Sequence, residues 1–279
     1  MARKRRRKEV APAGASPEIP EDDVEMGFFD HLRELRTRLI RALWGMIPGV
    51  AAGWIFREEL LALLVRPFQI AWIANNREGD AKLVFLNPID PFVAYLKIAM
   101  ITGLMIGAPW VFWQLWGFIS PGLYRKEKRL ALPFVIVSTL FFIGGITFGY
   151  LAVFPFAFQY FLEFAVTLPG GMILEPTIAI NEILTFEVRM LLAFGIVFEL
   201  PVVVTFLAAA GVVTWRQLLK FSRWWILIAA VLSAILTPPD PGSMMLMFIP
   251  LVLLWFLSVL FAALIGRKKK KDPAPADPE

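Results

Sequence analysis

The sequence predicts an all-α integral membrane protein with six transmembrane helices, and three observations carry that reading. Of its 279 residues, 58% are apolar, against roughly 45–50% in soluble domains, and the mean hydropathy is +0.66. The apolar residues fall in blocks close to the ~20 residues that a helix needs to cross a bilayer. The cations collect between alternate blocks, as expected when a positive-inside bias sets the orientation of the chain.

The spans are predicted near 37–56, 92–117, 131–154, 186–209, 222–236 and 244–265. Ahead of the first lies MARKRRRK and then a Pro-, Ala- and acid-rich stretch with no apolar core. Residues 1–26 therefore read as a disordered basic arm rather than a cleavable signal peptide. Two amphipathic stretches, 60–74 and 154–168, are predicted to lie along the interface. The second opens with Pro155, carries Glu163 and follows a span already about 36 Å long. The fifth span is short, 15 residues from Ser222 to Leu236, or about 22 Å of helix against a hydrocarbon core of about 30 Å. TPPDPG ends it, and the sixth span, also short, carries Pro250. RKKKKDPAPADPE closes the chain as a basic disordered tail over 267–279, leaving 27–266 as the membrane domain.

With both termini cytoplasmic, 22 of the 28 Arg and Lys residues fall on the cytoplasmic side, while 155–187 holds none and has four Glu. A seventh span at 154–168 would throw Arg216, Lys220, Arg223 and the RKKKK run outside. The placement of the basic residues explains the +5 net charge without nucleic acid. Cysteine is absent and His31 is the one histidine. No metal site, cofactor or thiol chemistry is expected, and without HExxH, GxSxG or a P-loop neither is an enzyme.

Polar residues inside spans carry the functional signal. Glu199 sits near the middle of the fourth span beside Pro201, at a depth where a charge costs at least about 2.5–3.5 kcal/mol and so faces protein or water. Gln114 and Lys97 are weaker signals of the same kind. Gly103 and Gly107, and Gly145 and Gly149, are small-xxx-small pairs suited to close helix packing. Trp110, Trp113, Trp116, Trp224 and Trp225 read as interfacial belts. Two acids stand at cytoplasmic span entrances among cations: Glu34 in HLRELRTRL and Glu127 in LYRKEKRLALP. Glu34 can pair locally with Arg38 at i+4, for about 0.3–0.5 kcal/mol. Together the two carboxylates can instead accept two guanidiniums through bidentate bonds.

FFDHLRELRTRLIRAL, NPIDPF, APWVFWQLWGFISPGLYRKEKR, FGIVFELPVVV and LTPPD, in this order, resemble the TatC family from about Phe28 to Gly266. That family is the polytopic component of the twin-arginine protein translocase. The resemblance implies a concave, glove-like bundle and a receptor for twin-arginine signal peptides of folded cargo, driven by the proton gradient. It implies that Glu34 and Glu127 recognise the arginine pair, with Arg36, Phe118, Pro121, Leu123, Tyr124 and Arg129 completing the surface. Glu199 matches the intramembrane acid of the concave face, and Pro67 and Asp240 match the outer cap and the fifth–sixth turn. The implied partners are TatA/TatB-type single-span subunits near the fifth and sixth helices, further copies of the receptor, and membrane lipid, in the cytoplasmic (inner) membrane of a prokaryote. The rival reading from the residues alone is a proton-coupled secondary transporter using Glu199, although no inverted repeat supports it.

Overall fold

The computed structural model describes residues 28–75, 81–119, 131–165, 169, 177–237 and 240–271. Among them the chain forms α1 (Phe28–Ile55), α2 (Arg57–Ala74), β1 (Leu83–Val84), α3 (Asp90–Ile119), α4 (Ala131–Phe148), a π-helical turn (Gly149–Val153) and α5 (Phe154–Glu163). It continues through β2 (Ile178–Ala179), α6 (Ile180–Phe198), α7 (Leu200–Ala209), α8 (Trp215–Leu236) and α9 (Pro241–Lys271). Five helical segments are long and apolar enough to cross a membrane, and α1 with α2 makes a sixth as a pair bent by 79°.

The bend turns α2 away from the direction of α1. The interfacial prediction for 154–168 is corrected. Residues 154–163 continue the third span, which runs unbroken over Leu132–Glu163. Pro155 lacks the N–H that an α-helix needs, and the π-helical turn just before it, with Phe154 N–H donating to the Gly149 carbonyl, widens the backbone enough for the helix to go on. At 32 residues, or about 48 Å, this span outreaches the hydrocarbon core. Its C-terminal end packs on α2 through Phe68 and Phe158, ring centroids 5.8 Å apart. Tyr150 in the π-turn donates to the Leu63 carbonyl at 2.8 Å. Pro67 is buried inside α2. The segments before α3 and α6 also meet through a two-residue parallel ladder, Leu83 with Ile178 and Val84 with Ala179.

Local chemistry explains the ends of the elements. In NPIDPF, Asp90 accepts from the backbone N–H of Leu86 and Asn87 at 3.1 and 2.9 Å, fixing the turn into α3. Thr214 and Gln217 form a capping box at α8. That start lengthens the fifth helix to 22 residues, about 33 Å, so it is longer than predicted although still the shortest of the six. In the LTPPD segment, Asp240 caps α9 by accepting from Ser243 N–H at 2.7 Å. The α9 backbone then stays helical through Lys271, past the boundary expected at 266.

Glycines set the helix spacing. A Cβ on Gly49 would lie 2.9 Å from the Gly103 Cα, and one on Gly145 would lie 2.4 Å from the Phe194 carbonyl oxygen. The predicted pairs on α3 and α4 are therefore close-approach sites. Their counterpart on α1, Gly45, Gly49 and Gly53, meets α3 in the same way and went unremarked in the sequence. Two belt assignments fail. Trp116 is 3% exposed and packs on Phe134 and Phe206. Trp225 stacks on Trp255 at 4.7 Å, tying α8 to α9.

Candidate functional site

The N-terminal half of α1 lies along the C-terminal half of α3, held close by the glycine seam, and this brings five polar or aromatic side chains to one end of the bundle. Glu34 accepts from Arg38 Nε and Nη2, both at 2.8 Å and both at Oε1. The local i+4 pair read from the sequence is therefore formed. The other oxygen, Oε2, is buried and has no hydrogen-bond partner among the described residues. Arg38 crosses α3 over Gly117, where a Cβ would stand 2.0 Å from Nη1. Beyond it is a cavity of about 130 Å³ lined by Arg38, Gln114, Leu115 and Phe118 among others. His31 stacks on Phe118 with centroids 4.4 Å apart. A carboxylate with one oxygen committed to a guanidinium and the other unpaired is an acceptor half used.

Of the residues predicted for recognition, Glu34 and Phe118 come together here, and buried Gln114 joins them rather than a midplane site. Arg36 is exposed on another face of α1. Pro121, Leu123, Tyr124, Glu127 and Arg129 lie outside the described residues. Gly117 was missed as part of this corner, because only the crossing of α1 and α3 brings it under Arg38.

Glu199 is set apart, half-buried at the break between α6 and α7. Its N–H turns back to the Ile196 carbonyl at 3.1 Å, and Pro201 deprives the Val197 carbonyl of its usual donor. Ser138, fully buried on α4, faces the carboxylate, yet neither Ser138 Oγ nor Glu199 Oε1 closes a hydrogen bond among the described residues. Toward the far end of α7 an apolar groove of about 310 Å³ runs between α4, α7 and α9, with Pro133, Phe134, Pro201, Thr205 and Phe261 in its walls.

The structure adds an acid that the sequence reading left in the outer loop. Because α6 begins at Ile180, not at 186, Glu187 lies two turns inside the helix, 0% exposed, with both oxygens unpartnered among the described residues. An unsatisfied buried polar group costs about 1–3 kcal/mol. Glu187→Leu, which keeps the volume, is therefore expected to raise the detergent melting temperature by several degrees. A fall would contradict this account.

The family model described as Sec-independent protein translocase protein (TatC) matches residues 30–250. The chain belongs to the TatC family. The TatC of Desulforapulum autotrophicum is 41% identical over 255 residues, covering 91% of each chain. That of Aquifex aeolicus is 34% identical over 246 residues, covering 88% of this chain and 98% of its own. A crystal structure described as Twin Arginine Translocase Receptor TatC superposes with a TM-score of 0.73 at 34% identity, covering 85% of this chain and all of that one. This TatC chain is thus a multi-pass membrane component of a protein translocase, and a transporter reading of Glu199 is not favoured.

Proposed function

We propose that this chain is the receptor subunit of a twin-arginine translocase, that it takes the signal peptides of folded proteins at the end of the bundle where Glu34 lies, and that it nucleates a transport complex driven by the proton gradient. The observation that carries the reading is the state of Glu34. The carboxylate already accepts a guanidinium from its own chain at 2.8 Å, and its second oxygen has no partner among the described residues. Glu127, on the following loop, supplies the second acid, with Arg36, Phe118, Pro121, Leu123, Tyr124 and Arg129 around the pair. This end faces the cytoplasm with both termini, in the inner membrane. TatA/TatB-type subunits dock near α8 and α9, and receptor copies associate.

The planar fork of arginine matches a carboxylate in a way that an ammonium does not. In membranes holding the full chain, a signal peptide with paired arginines is expected to photocrosslink to 118–129 at least about 10-fold more strongly than a paired-lysine version. Equal crosslinking would return Glu34 and Glu127 to local charge balance and remove the receptor reading.

A further inference from the structure

Helices α2, α3, α4 and α6 and the π-helical turn enclose a side cavity of about 300 Å³, separate from the corner at Glu34 and from the groove near Glu199. Leu63 and Leu64 of α2, Ile106 of α3, Leu151 of the π-turn and Leu191 of α6 stand in its wall. That wall is apolar apart from three hydroxyls, those of Thr102, Thr147 and Tyr150. Thr147 donates to the Ile143 carbonyl of its own helix at 2.8 Å. Tyr150 donates to the Leu63 carbonyl, which Pro67 at i+4 cannot serve because it has no N–H. Two of the three hydroxyls are thus spent within the chain, and the wall suits hydrocarbon. An apolar cavity of about 150 Å³ stays dry and takes up benzene; this one is about twice that size, room for roughly a dozen carbons.

The rim says what reaches it. Leu63, Ile106 and Leu151 are 46%, 57% and 65% exposed, so the cavity opens sideways through apolar side chains, which in a multi-pass membrane protein meet lipid. One unmatched charge stands at its edge. Arg66 follows Leu63 and Leu64 within one turn of α2, is exposed, and lies in electrostatic reach of the Tyr150 hydroxyl. It forms no ion pair among the described residues. The neighbouring cations are taken: Arg57 bonds Glu58 and the Trp54 carbonyl. Lys97 donates to Asn181 Oδ1 at 2.5 Å and Thr185 Oγ1 at 2.6 Å. Nor do the nearby acids answer Arg66. Glu58 and Glu59 stand in the first turn of α2, about two turns away, and the buried Glu187 makes no bond to it.

We propose that this cavity is a phospholipid site, with one acyl chain between α2 and α3 against Leu151 and Leu191 and the phosphate on Arg66. The unmatched charge of Arg66 favours a net anionic lipid over a zwitterionic one. The bound chain fills the gap between α2 and the bundle that the Tyr150–Leu63 hydrogen bond spans. The site does not depend on the receptor reading of Glu34.

The test uses the full chain in phosphatidylcholine nanodiscs doped with a phospholipid carrying a diazirine on its acyl chain, as phosphatidylglycerol or as phosphatidylcholine. Peptide mass spectrometry after irradiation maps the adducts. Leu63, Ile106 and Leu151 are expected to be labelled severalfold more than Ile249 and Leu253 of α9, which are 53% and 63% exposed. Phosphatidylglycerol is expected to label the cavity on the order of fivefold more than phosphatidylcholine. Arg66→Gln, which breaks no ion pair among the described residues, is expected to equalise the two headgroups, whereas Arg66→Lys keeps most of the preference. Thr147→Trp, which fills the cavity from an exposed position, is expected to cut cavity labelling severalfold for both lipids and leave α9 unchanged. Even labelling of cavity and α9, no headgroup preference, or a preference that survives Arg66→Gln would overturn the proposal. So would loss of the cavity adducts as more chains are loaded per nanodisc, which would make this surface a contact between copies.

Discussion

Glu34→Ala is expected to lower the affinity of the full-length chain for a paired-arginine signal peptide by about 30-fold, near the lower end of the 2–5 kcal/mol that follows truncation of one partner in a desolvated charge pair. Its cost to the fold is expected to be much smaller. The internal pair with Arg38 is an i+4 contact with side chains 26% and 19% exposed, worth about 0.3–0.5 kcal/mol. Binding and stability therefore separate, and peptide titration beside a thermal melt reads both. Glu34→Gln keeps the shape and one acceptor but loses the charge, so it falls between wild type and Ala. An Ala variant that binds as wild type would remove Glu34 from the receptor, whatever the fate of Glu127. The internal guanidinium also bears on selectivity, because a ligand must share or displace Arg38 at Oε1. A second arginine can do so on equal terms. A lysine offers a point charge without the fork.

Gly145→Val is expected to have the largest effect on the fold. The added Cβ would stand 2.4 Å from the Phe194 carbonyl oxygen and 2.8 Å from Phe198 Cγ. The first of these is backbone, locked in the ladder of α6, so the helices must part. Overpacking of this kind costs about 1–3 kcal/mol or more, a loss of several degrees in melting temperature at roughly 2–4 °C per kcal/mol for a chain of this size. The adjacent Gly144 is the control. A Cβ there meets nothing within 4 Å, and Gly144→Ala gains helix propensity of up to about 1 kcal/mol. Opposite signs at neighbouring glycines would establish that the α4–α6 seam, not glycine content, sets stability. Two variants with the same modest effect would contradict the close approach.

Much of this architecture is legible along the chain because its causes are local. Apolar length set the number of spans, and the TWRQ and NPIDPF stretches are complete turn and cap chemistries in four to six residues. The placement of cations required only counting. Where a boundary depended on neighbours, the reading slipped. Pro155 is an ordinary helix breaker by sequence, yet the π-helical turn beside it lets the third span run on to Glu163. Trp116 and Trp225 have belt-like positions but are taken into helix contacts by Phe134, Phe206 and Trp255. Glu187 looked like one more outer acid until α6 began at Ile180 and wound it inward.

The site divides along the same line. Glu34 and Glu199 are named by pattern alone, since a carboxylate among arginines or within an apolar run is conspicuous in one dimension, whereas Phe118 entered only through the family resemblance. By itself, then, the sequence determined the fold class, the spans and the acids, each a property of residues within a turn or two of one another. Only the tertiary structure decided that Arg38 lies across α3 at Gly117, and that Lys97 joins α6 at Asn181 and Thr185. Those contacts join helices 80 or more residues apart in the chain, as at Lys97 and Asn181, or depend on a close crossing. Their geometry is set by how near two backbones come, which no local pattern records.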